Sequence, residues 1–485
     1  MTSQNVEGTE RGDAGQPGSA PSDAPWAGDV VSLVEAFRRG ERHPLEELEA
    51  CVAALEASGL NAVCHLDLDA AADAARHADV NLPYGGVPLA VKELLAVAGW
   101  PGTQASLALA DVVHPHDAVH VTRLRRAGAI PAFQTTSSEF GGVNQTTTRL
   151  HGVTRNPWDR TRTPGGSSGG SAAGVAGGLF ALATASDGGG SIRIPAGFCG
   201  LVGLKPTYGR IPKGPGAGLG NVTAVEGTVS RSVRDTARFL DVCEGHDRHD
   251  PLSLPRVGGW EAGLGRHLDE LGSLRAAVIV DLGCAVVADE TAEIVEAAAA
   301  ELIAATGMRR LEVESRVPSM AGPWGLTGTV GVRRSLGERW PACAGELTGM
   351  MRRGLEVAEK RLGLDALVAA ENRRIECNEA MAELFGQVDV IFAATNPDTA
   401  FDAEGRLPSV FGGKESTPGN NGALTIPANI YGNPAISVPA GTASDGLPVG
   451  LQILAPHHGE SLLLDLASVW ERTRPWPLVA PGSPW

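Results

Sequence analysis

The sequence lacks the features that mark secreted and membrane proteins. Its first 25 residues are polar and acidic and contain no apolar segment of the kind found in a signal peptide. No run approaches the roughly 18 consecutive apolar residues that a membrane span needs. The seven cysteines are odd in number, lie far apart and include no CxxC pair, which is typical of reduced thiols. Together these absences predict a cytoplasmic protein.

Clusters of basic residues are also missing. The net charge is −16 over 485 residues, and arginine and lysine are scattered along the chain. This balance argues against nucleic acid or an anionic membrane surface as the main partner. The acidic surface predicts solubility and nothing more specific.

The hydrophobic and charged fractions, 43% and 20%, are those of an ordinary globular protein. Short apolar runs alternate with helical patterns, which predicts an α/β fold with a largely parallel or mixed sheet. We expect a disordered acidic tail over residues 1–25 and one large domain over residues 26–485. Strands are predicted at 85–93, 179–185, 274–282, 388–396, 434–440 and 448–455, and helices at 30–40, 44–57, 171–179, 290–306, 350–384 and 459–472.

Two glycine- and serine-rich loops lie on either side of one predicted helix–strand unit. The first contains Ser167 and Ser168, and the second reads Asp187-Gly-Gly-Gly-Ser191, so Ser167 and Ser191 are 24 positions apart. Three glycines before a serine leave backbone N–H groups unshielded, as an oxyanion hole requires. The alternative is a tight turn that needs glycine for its positive φ angles. The sequence by itself leaves both interpretations open.

A serine nucleophile needs a base to take its proton. The apolar strand GGVPLAV delivers Lys92 toward the interior, where desolvation lowers a lysine pKa and makes a neutral amine available. The alternative is a lysine that extends to solvent at the strand end. His151 is the nearest histidine to the loops and is expected to pack there. The G-x-S-x-G frame at 166–170 has no strand leading into it, which argues against a nucleophile elbow.

The stretch GGSSGGSAAGVAGGLFALATASDGGGSIRIPAGFCGLVGLKPTYGR at 165–210 strongly resembles the amidase signature family. Supporting matches are GGVPLAVKELLAVAGWPGT at 85–103, AVHVTRLRRAGA at 118–129 and NIYGNPAISVPAGTASDGLPVGLQILA at 429–455. They follow one another in family order and at family spacing. The divergent part, residues 245–420, is the part expected to shape the substrate pocket.

The resemblance implies a single large domain whose mixed, mostly parallel central sheet is covered by helices on both faces. It also implies a Ser–cis-Ser–Lys triad, in which Ser191 is the nucleophile, Ser167 the bridging serine after a cis Gly166–Ser167 bond, and Lys92 the base. Backbone N–H groups of the second loop would form the oxyanion hole, and three polar side chains would support the site. The residues so assigned are Gly188, Gly189 and Gly190, with Ser191, for the hole and Ser168, Asp187 and Arg193 for the support.

Family resemblance implies no metal and no organic cofactor. The segment HDRHD at 246–250, together with Cys243, carries residue types that bind metals, but no further ligand follows at metal spacing, so we interpret it as a polar loop. The expected partner is a small-molecule amide. Family members are often homodimers, which leaves a monomer and a homodimer both open.

Two departures from the family pattern bear on function. Glu93 stands where the family commonly has an aspartate after the base lysine. This difference is expected to alter the contacts that support the triad and not the triad itself. Glutaminase subunits of tRNA-dependent amidotransferases usually carry an acidic residue just before the segment that reads LTIPAN here, where this chain has Gly422. A missing carboxylate disfavours glutamine, whose ammonium would remain unpaired.

The sequence therefore favours a stand-alone amide hydrolase. The alternatives are a glutaminase component of an amidotransferase, a relative acting on urea- or carbamate-type bonds, and an enzyme that runs acyl transfer to make an amide. A non-catalytic binding module is disfavoured because every triad position is intact. The pocket is expected from residues 136–151, 320–345 and 395–420, whose composition favours an uncharged acyl group, with Arg333, Arg334 and Arg339 as alternative carboxylate-binding residues.

Overall fold

The computed structural model describes residues 23–216, 218 and 222–481. The predicted tail at 1–25 lies outside the described residues except for its last three, of which Ala24 is already buried and accepts a hydrogen bond from Arg42. Within the described part of the chain, no helix is long and apolar enough to cross a membrane. All seven cysteines are unpaired, as predicted.

A mixed sheet of eleven strands runs through the molecule in the order β1-β3-β2-β6-β8-β7-β14-β15-β11-β9-β10. Two further pairs, β4–β5 and β12–β13, form small separate sheets. The strands are β1 Val63–Leu66, β2 Pro88–Lys92, β3 Ile130–Thr135, β4 Thr147–Thr148, β5 Gly152–Val153, β6 Leu182–Asp187, β7 Val202–Lys205, β8 Val225–Ser230, β9 Arg275–Val278, β10 Arg309–Arg310, β11 Val390–Ala394, β12 Val410–Phe411, β13 Lys414–Glu415, β14 Ala435–Thr442 and β15 Pro448–Leu454.

Helices cover this sheet on both faces. All five residues of β11 are buried, and since successive side chains of a strand point to opposite faces, neither face meets solvent. The helices are α1 Val30–Arg39, α2 Pro44–Ser58, α3 Leu68–Arg76, α4 Val119–Arg126, α5 Gly169–Ala176, α6 Arg193–Cys199, α7 Val233–Cys243, α8 Trp260–Gly263, α9 Leu268–Leu271, α10 Asp289–Thr306, α11 Ala321–Leu336, α12 Gly349–Arg361, α13 Leu364–Gln387, α14 Ile426–Tyr431 and α15 Glu460–Thr473.

The mixed sheet and the single-domain architecture confirm the predicted fold class. Parallel pairing occurs in two places, where β2 lies between β3 and β6 and where β9 lies between β10 and β11. The other neighbouring strands of this sheet pair antiparallel, so parallel pairing is less extensive than expected. Strands β8 and β14 lie in the middle of the sheet, and each runs antiparallel to both of its neighbours there.

One helical prediction needs correction, and one long helix was missed. The predicted helix at 350–384 is two helices, α12 and α13, separated at Leu362 and Gly363. Helix α11 was not predicted, because its sequence AGPWGLTGTVGVRRSL contains a proline and a glycine at every third position from 322 to 331, a composition of low helix propensity. Its packing against α12 and α13 stabilises it instead.

Close packing of small residues brings α5 against the strand that carries the second glycine loop. A Cβ atom at Gly174 would overlap the ring of Phe180, which is fully buried and lies two residues before β6 begins. Glycine is therefore required where α5 approaches the chain that leads into β6.

We expect Gly174→Ala to lower the free energy of unfolding by about 1–3 kcal/mol, because the added methyl group has no room. Gly386→Ala is the matched control: it also lies in a helix, but nothing occupies the space around its Cβ position. This change should leave stability unchanged or raise it by up to about 1 kcal/mol. Urea denaturation of both variants measures the difference, and equal stabilities would contradict the packing described here.

Candidate active site

Lys92 is the last residue of β2, and its side chain is completely buried. Its Nζ lies 2.8 Å from Ser167 Oγ, 2.8 Å from Ser168 Oγ and 3.0 Å from Ser186 Oγ. The first glycine- and serine-rich loop and the end of strand β6, which leads into the second loop, therefore converge on one amine. Ser186, which sequence reasoning missed, joins them because it precedes Asp187 at the end of the neighbouring strand β6.

Burial lowers the pKa of Lys92 from 10.5 to about 7, although the nearby Glu226 and Asp187 carboxylates oppose the shift. The amine is thus available in its neutral form near neutral pH. A neutral amine has two N–H donors and one lone pair, so it can donate to two hydroxyls and accept from a third. The three surrounding hydroxyls match this capacity, and Ser168 can in turn donate to the Ser186 carbonyl at 3.3 Å.

The Gly166–Ser167 peptide bond is cis, as the resemblance implied. Gly166 is tightly enclosed, since a Cβ there would lie 2.7 Å from the Val143 carbonyl oxygen. Gly141, which adopts a positive φ of 70°, packs beside Ser167 from the opposite loop. The backbone on both sides of Ser167 is therefore closely packed, which fixes the direction of its hydroxyl.

Ser191 ends the second loop, two residues before α6 begins at Arg193. Its side chain retains a small exposure of 7%, whereas Lys92 has none, so Ser191 is the member of the predicted triad that solvent reaches more readily. The Ser191 carbonyl accepts a hydrogen bond from the Ser168 N–H at 3.3 Å. This bond joins the two loops directly.

A buried ion pair holds the second loop in place. Arg193 donates from Nε to Asp187 Oδ2 at 3.0 Å and from Nη2 to Asp187 Oδ1 at 3.0 Å, and neither residue is exposed. Arg193 also donates to the Thr425 carbonyl, Gln452 Oε1 and Asn429 Oδ1. Burial by itself would raise the pKa of Asp187, but Arg193 and Asn429 outweigh it and hold that pKa well below its usual range. Both residues lie where the support role was predicted.

The glycines of this loop do not all serve as predicted. The Gly190 N–H donates to Asp187 Oδ1 at 2.6 Å, so its assignment to the oxyanion hole is corrected: this donor is engaged by the loop itself. Asp187 recruits it because the carboxylate folds back over the turn and also accepts from the Ile192 N–H at 3.2 Å.

Two side chains orient the remaining N–H donors of the loop by donating hydrogen bonds to its carbonyl groups. The Gly188 carbonyl accepts from Trp324 Nε1 at 2.6 Å, and the Gly189 carbonyl accepts from Thr425 Oγ1 at 2.7 Å. Among residues 23–216, 218 and 222–481, the N–H groups of Gly188, Gly189 and Ser191 have no acceptor. These three N–H groups are available to a substrate oxygen. Trp324 and Thr425 lie far along the chain in weakly patterned segments, so the sequence offered no signal for them.

Glu93 follows Lys92 in the chain and belongs to a separate buried cluster. Its buried Oε1 accepts from Thr103 Oγ1 and from the Ala105 N–H at 3.1 Å, and it lies 2.8 Å from His151 Nε2. Cys64 lies close enough for its thiol to interact with the same carboxylate. His151 therefore belongs to this cluster and does not approach the serines, which agrees with its predicted packing role.

A cavity of about 1070 Å³ lies beside the site, between α11, α13 and the loops that follow β2. Leu94 forms part of its wall and also packs against Gly141, the neighbour of Ser167. Glu226 of β8 lies at its inner side, and Arg334 of α11 also lines it. Arg333 and Arg339, the other predicted carboxylate binders, are engaged elsewhere, with the Gly337 carbonyl and with Asp111.

The fold and these polar contacts define an α/β protein in which three serine hydroxyls surround one buried lysine. A family model described as Amidase matches residues 46–464, and the chain belongs to this family, the amidase signature enzymes. The resemblance inferred from the motifs is thereby confirmed.

Individual relatives cover most of the chain. One component of the glutamyl-tRNA(Gln) amidotransferase of Syntrophobacter fumaroxidans (strain DSM 10017 / MPOB) is 35% identical over 431 residues, which are 83% of this chain and 86% of that protein. The acylamidase of Rhodococcus erythropolis is 34% identical over 450 residues, 89% of this chain and 92% of the acylamidase. The crystal structure of a bacterial aryl acylamidase of the amidase signature family matches with a TM-score of 0.84 at 25% identity, covering 93% of this chain and 97% of the other. The chain is accordingly an amide-bond hydrolase by family.

We expect Arg193→Gln to lower the free energy of unfolding by about 3–5 kcal/mol, because it leaves the Asp187 carboxylate buried and unpaired. The double variant Asp187→Asn/Arg193→Gln should recover part of this loss, since no charge then remains uncompensated. Urea denaturation of the two single variants and the double variant completes the cycle. Strictly additive losses would show that the two side chains do not act as a pair.

Proposed function

We propose that this chain is a stand-alone serine amidase that hydrolyses a carboxamide bond of a small molecule through an acyl-enzyme on Ser191. The observation that carries the proposal is the Lys92 amine, which is fully buried and lies 2.8 Å from the Ser167 hydroxyl. Burial lowers the pKa of Lys92 to about 7. A neutral amine in contact with a bridging hydroxyl is a base that can accept a proton from a serine beyond it.

Acylation begins with two linked proton transfers. Ser191 Oγ gives its proton to Ser167 Oγ as Ser167 gives its own to Lys92 Nζ, and the Ser191 oxygen attacks the amide carbon. The carbonyl oxygen of the substrate becomes negative as the new C–O bond forms. The free N–H groups of Gly188, Gly189 and Ser191 stand ready for that charge, and one such donor is worth on the order of 10²–10³ in rate.

Breakdown of the amide and hydrolysis of the acyl-enzyme use the same proton relay. It first delivers a proton to the leaving nitrogen and then takes one from water. The Lys92 ammonium returns its proton through Ser167 to the leaving nitrogen, the C–N bond breaks, and ammonia or an amine departs. A water molecule then gives a proton to the relay and attacks the ester carbon. Cleavage of the ester bond releases the carboxylate product and restores the Ser191 hydroxyl.

The substrate is proposed to occupy the cavity between α11 and α13. Apolar residues and glycines form much of its wall, including Leu94, Leu95 and the glycines Gly328 and Gly331 of α11. This supports an uncharged or partly apolar acyl group. Of the predicted carboxylate binders only Arg334 lines the cavity, so a substrate with a carboxylate at the outer end is the second possibility.

A glutaminase role within an amidotransferase is the alternative function, and the identity to a component of such an enzyme favours it. Gly422 argues against it, since no carboxylate is present at the position expected to pair with the ammonium of glutamine. A Cβ atom at Gly422 would lie 3.0 Å from Ile426 Cδ1, an apolar neighbour. Urea- and carbamate-type hydrolysis and amide synthesis use the same acyl-enzyme chemistry and differ only in the groups that enter and leave.

The purified chain, tested without any partner, should release ammonia or an amine from at least one member of a panel of aliphatic, aryl and cyclic amides. Ser191→Ala should reduce the rate by at least about 10⁴-fold, because it removes the nucleophile. Thr442→Ala, on an exposed end of β14, serves as the hydroxyl-deletion control and should retain activity. Activity confined to glutamine would identify the amidotransferase role, and activity that persists in Ser191→Ala would exclude Ser191 as the nucleophile.

We expect kcat/KM to rise with pH through an apparent pKa of about 7, because Lys92 must lose its proton before it can act as the base. Below this pH the ammonium form predominates and activity falls about tenfold per pH unit. A profile measured from pH 5 to 9 on one hydrolysed amide tests this. A rate that stays constant down to pH 5 would contradict a neutral Lys92 as the base.

A further inference from the structure

A carboxyl group that the relay does not use lies on the strand beside Ser186, one of the residues in contact with Lys92. Glu226 of β8 pairs directly opposite Ser186 of β6 in the antiparallel register. Residues directly opposite in such a pair project from the same face of the sheet with Cβ atoms about 4.5–5.5 Å apart. The Ser186 hydroxyl contacts Lys92 Nζ at 3.0 Å, so the Glu226 side chain shares the face on which the amine lies.

The Glu226 carboxyl is unusual because its burial is not matched by hydrogen bonds. Its Oε2 is buried, and among the residues that the structure describes no donor reaches it. Carboxylates with a purely structural role accept several donors, as Asp187 does from Gly190, Ile192 and Arg193. Burial raises the pKa of Glu226 to about 7, while Lys213 and Lys92 favour its ionised form.

We propose that Glu226 is a positioning residue whose carboxylate stabilises the ammonium that forms on Lys92 when the proton of Ser191 arrives through Ser167. The proposal rests on the proposed function and adds to it a residue outside the triad. Charge separates during acylation, with a negative substrate oxygen at the glycine loop and a positive Lys92. A carboxylate next to the amine offsets the second of these charges, as the aspartate does for the histidine of a serine protease triad.

The proton count of this step is unchanged by Glu226. The proton leaves Ser191 Oγ, reaches Lys92 Nζ through Ser167 and returns by the same path to the leaving nitrogen. Glu226 takes part only through its field, and it acts in its ionised form. The same field also raises the pKa of Lys92. The carboxylate therefore raises the pH above which the base is mostly neutral.

Two carboxylates, those of Glu226 and Asp187, act on the charge of Lys92. Asp187 also favours the Lys92 ammonium, but it is committed to Arg193. Asp250 accepts from the Lys213 N–H at 2.9 Å, and the Lys213 amine donates to Tyr208 Oη at 3.0 Å. The remaining ionisable side chains that line the cavity are His114, His116, Arg334, Glu371 and Arg374.

The direct test is the pKa of Lys92 in Glu226→Gln, measured by NMR. The chain has only five lysines, so protein labelled with ¹³C at lysine Cε gives a spectrum in which Lys92→Met identifies the signal of interest. We expect the Lys92 pKa to fall by about one unit, because removal of the carboxylate destabilises the ammonium. Lys205 is the internal control: burial lowers its pKa to about 7 as well, but its charged neighbours are Arg193, Asp187 and Glu460. Its titration should not move.

The kinetic test separates a role at Lys92 from a role in substrate binding. On an amide from the panel, Glu226→Gln should lower kcat about tenfold, the equivalent of one pKa unit, with KM within about twofold. The acid limb of kcat/KM should move to lower pH, and Glu226→Asp, which keeps the charge, should restore part of both effects. Glu49→Gln, an exposed substitution of the same kind on α2, should change neither.

An unchanged Lys92 pKa in folded Glu226→Gln would overturn the proposal, as would a raised KM with an unmoved titration, which would make Glu226 a substrate-binding residue. Glu226→Ala provides the same titration if the glutamine variant does not fold. Because the NMR experiment needs no substrate, it decides the interaction between the two residues independently of whether the chain hydrolyses any amide in the panel.

Discussion

The organisation of the site depends on the burial of one amine. Lys92 has no exposed surface, and its Nζ is surrounded by the hydroxyls of Ser167, Ser168 and Ser186 rather than by carboxylates in direct contact. Hydroxyls satisfy a neutral amine fully but compensate an ammonium only partly, so burial lowers the pKa to about 7. A salt bridge to Lys92 would have fixed it as a cation and removed the base. The small residues of both loops follow from this requirement, since only short side chains allow three hydroxyls to meet around one nitrogen.

The second constraint is that a loop built of glycine must nevertheless be rigid. Asp187 and Arg193 form a pair with no exposed surface, and Asp187 also accepts the Gly190 N–H. One donor of the loop is therefore used to stabilise its shape, while Trp324 and Thr425 hold the carbonyls of Gly188 and Gly189 away from the free N–H groups. Electrostatic stabilisation of a transition state requires donors that are already oriented before the charge appears. The buried pair and the two distant side chains supply that orientation.

The segment that lines the cavity is organised differently from the loops that carry the serines. Helix α11 contributes Trp324 to the glycine loop and Gly328, Gly331 and Arg334 to the cavity wall, so one element links the chemistry to the pocket. Its glycines and proline make it a poor helix former, and its place depends on α12 and α13. Substitutions at Gly328, Gly331 or Arg334 would therefore change the cavity wall without altering the contacts of Lys92, which suits a family whose members cleave different amides.

The sequence by itself determined the family of this protein. An apolar strand ending at Lys92, two glycine- and serine-rich loops and the motifs around them identified it, and these motifs contain the residues that form the Lys92–Ser167 contact and the Asp187–Arg193 pair. These features are local, because strand periodicity and glycine content are written in neighbouring residues. Tertiary structure alone decided that the Gly190 N–H belongs to Asp187, that α11 is a helix and that Glu226 lies opposite Ser186. Hydrogen-bond direction, helix formation against propensity and strand register all depend on contacts between residues far apart in the chain, and no local pattern encodes them.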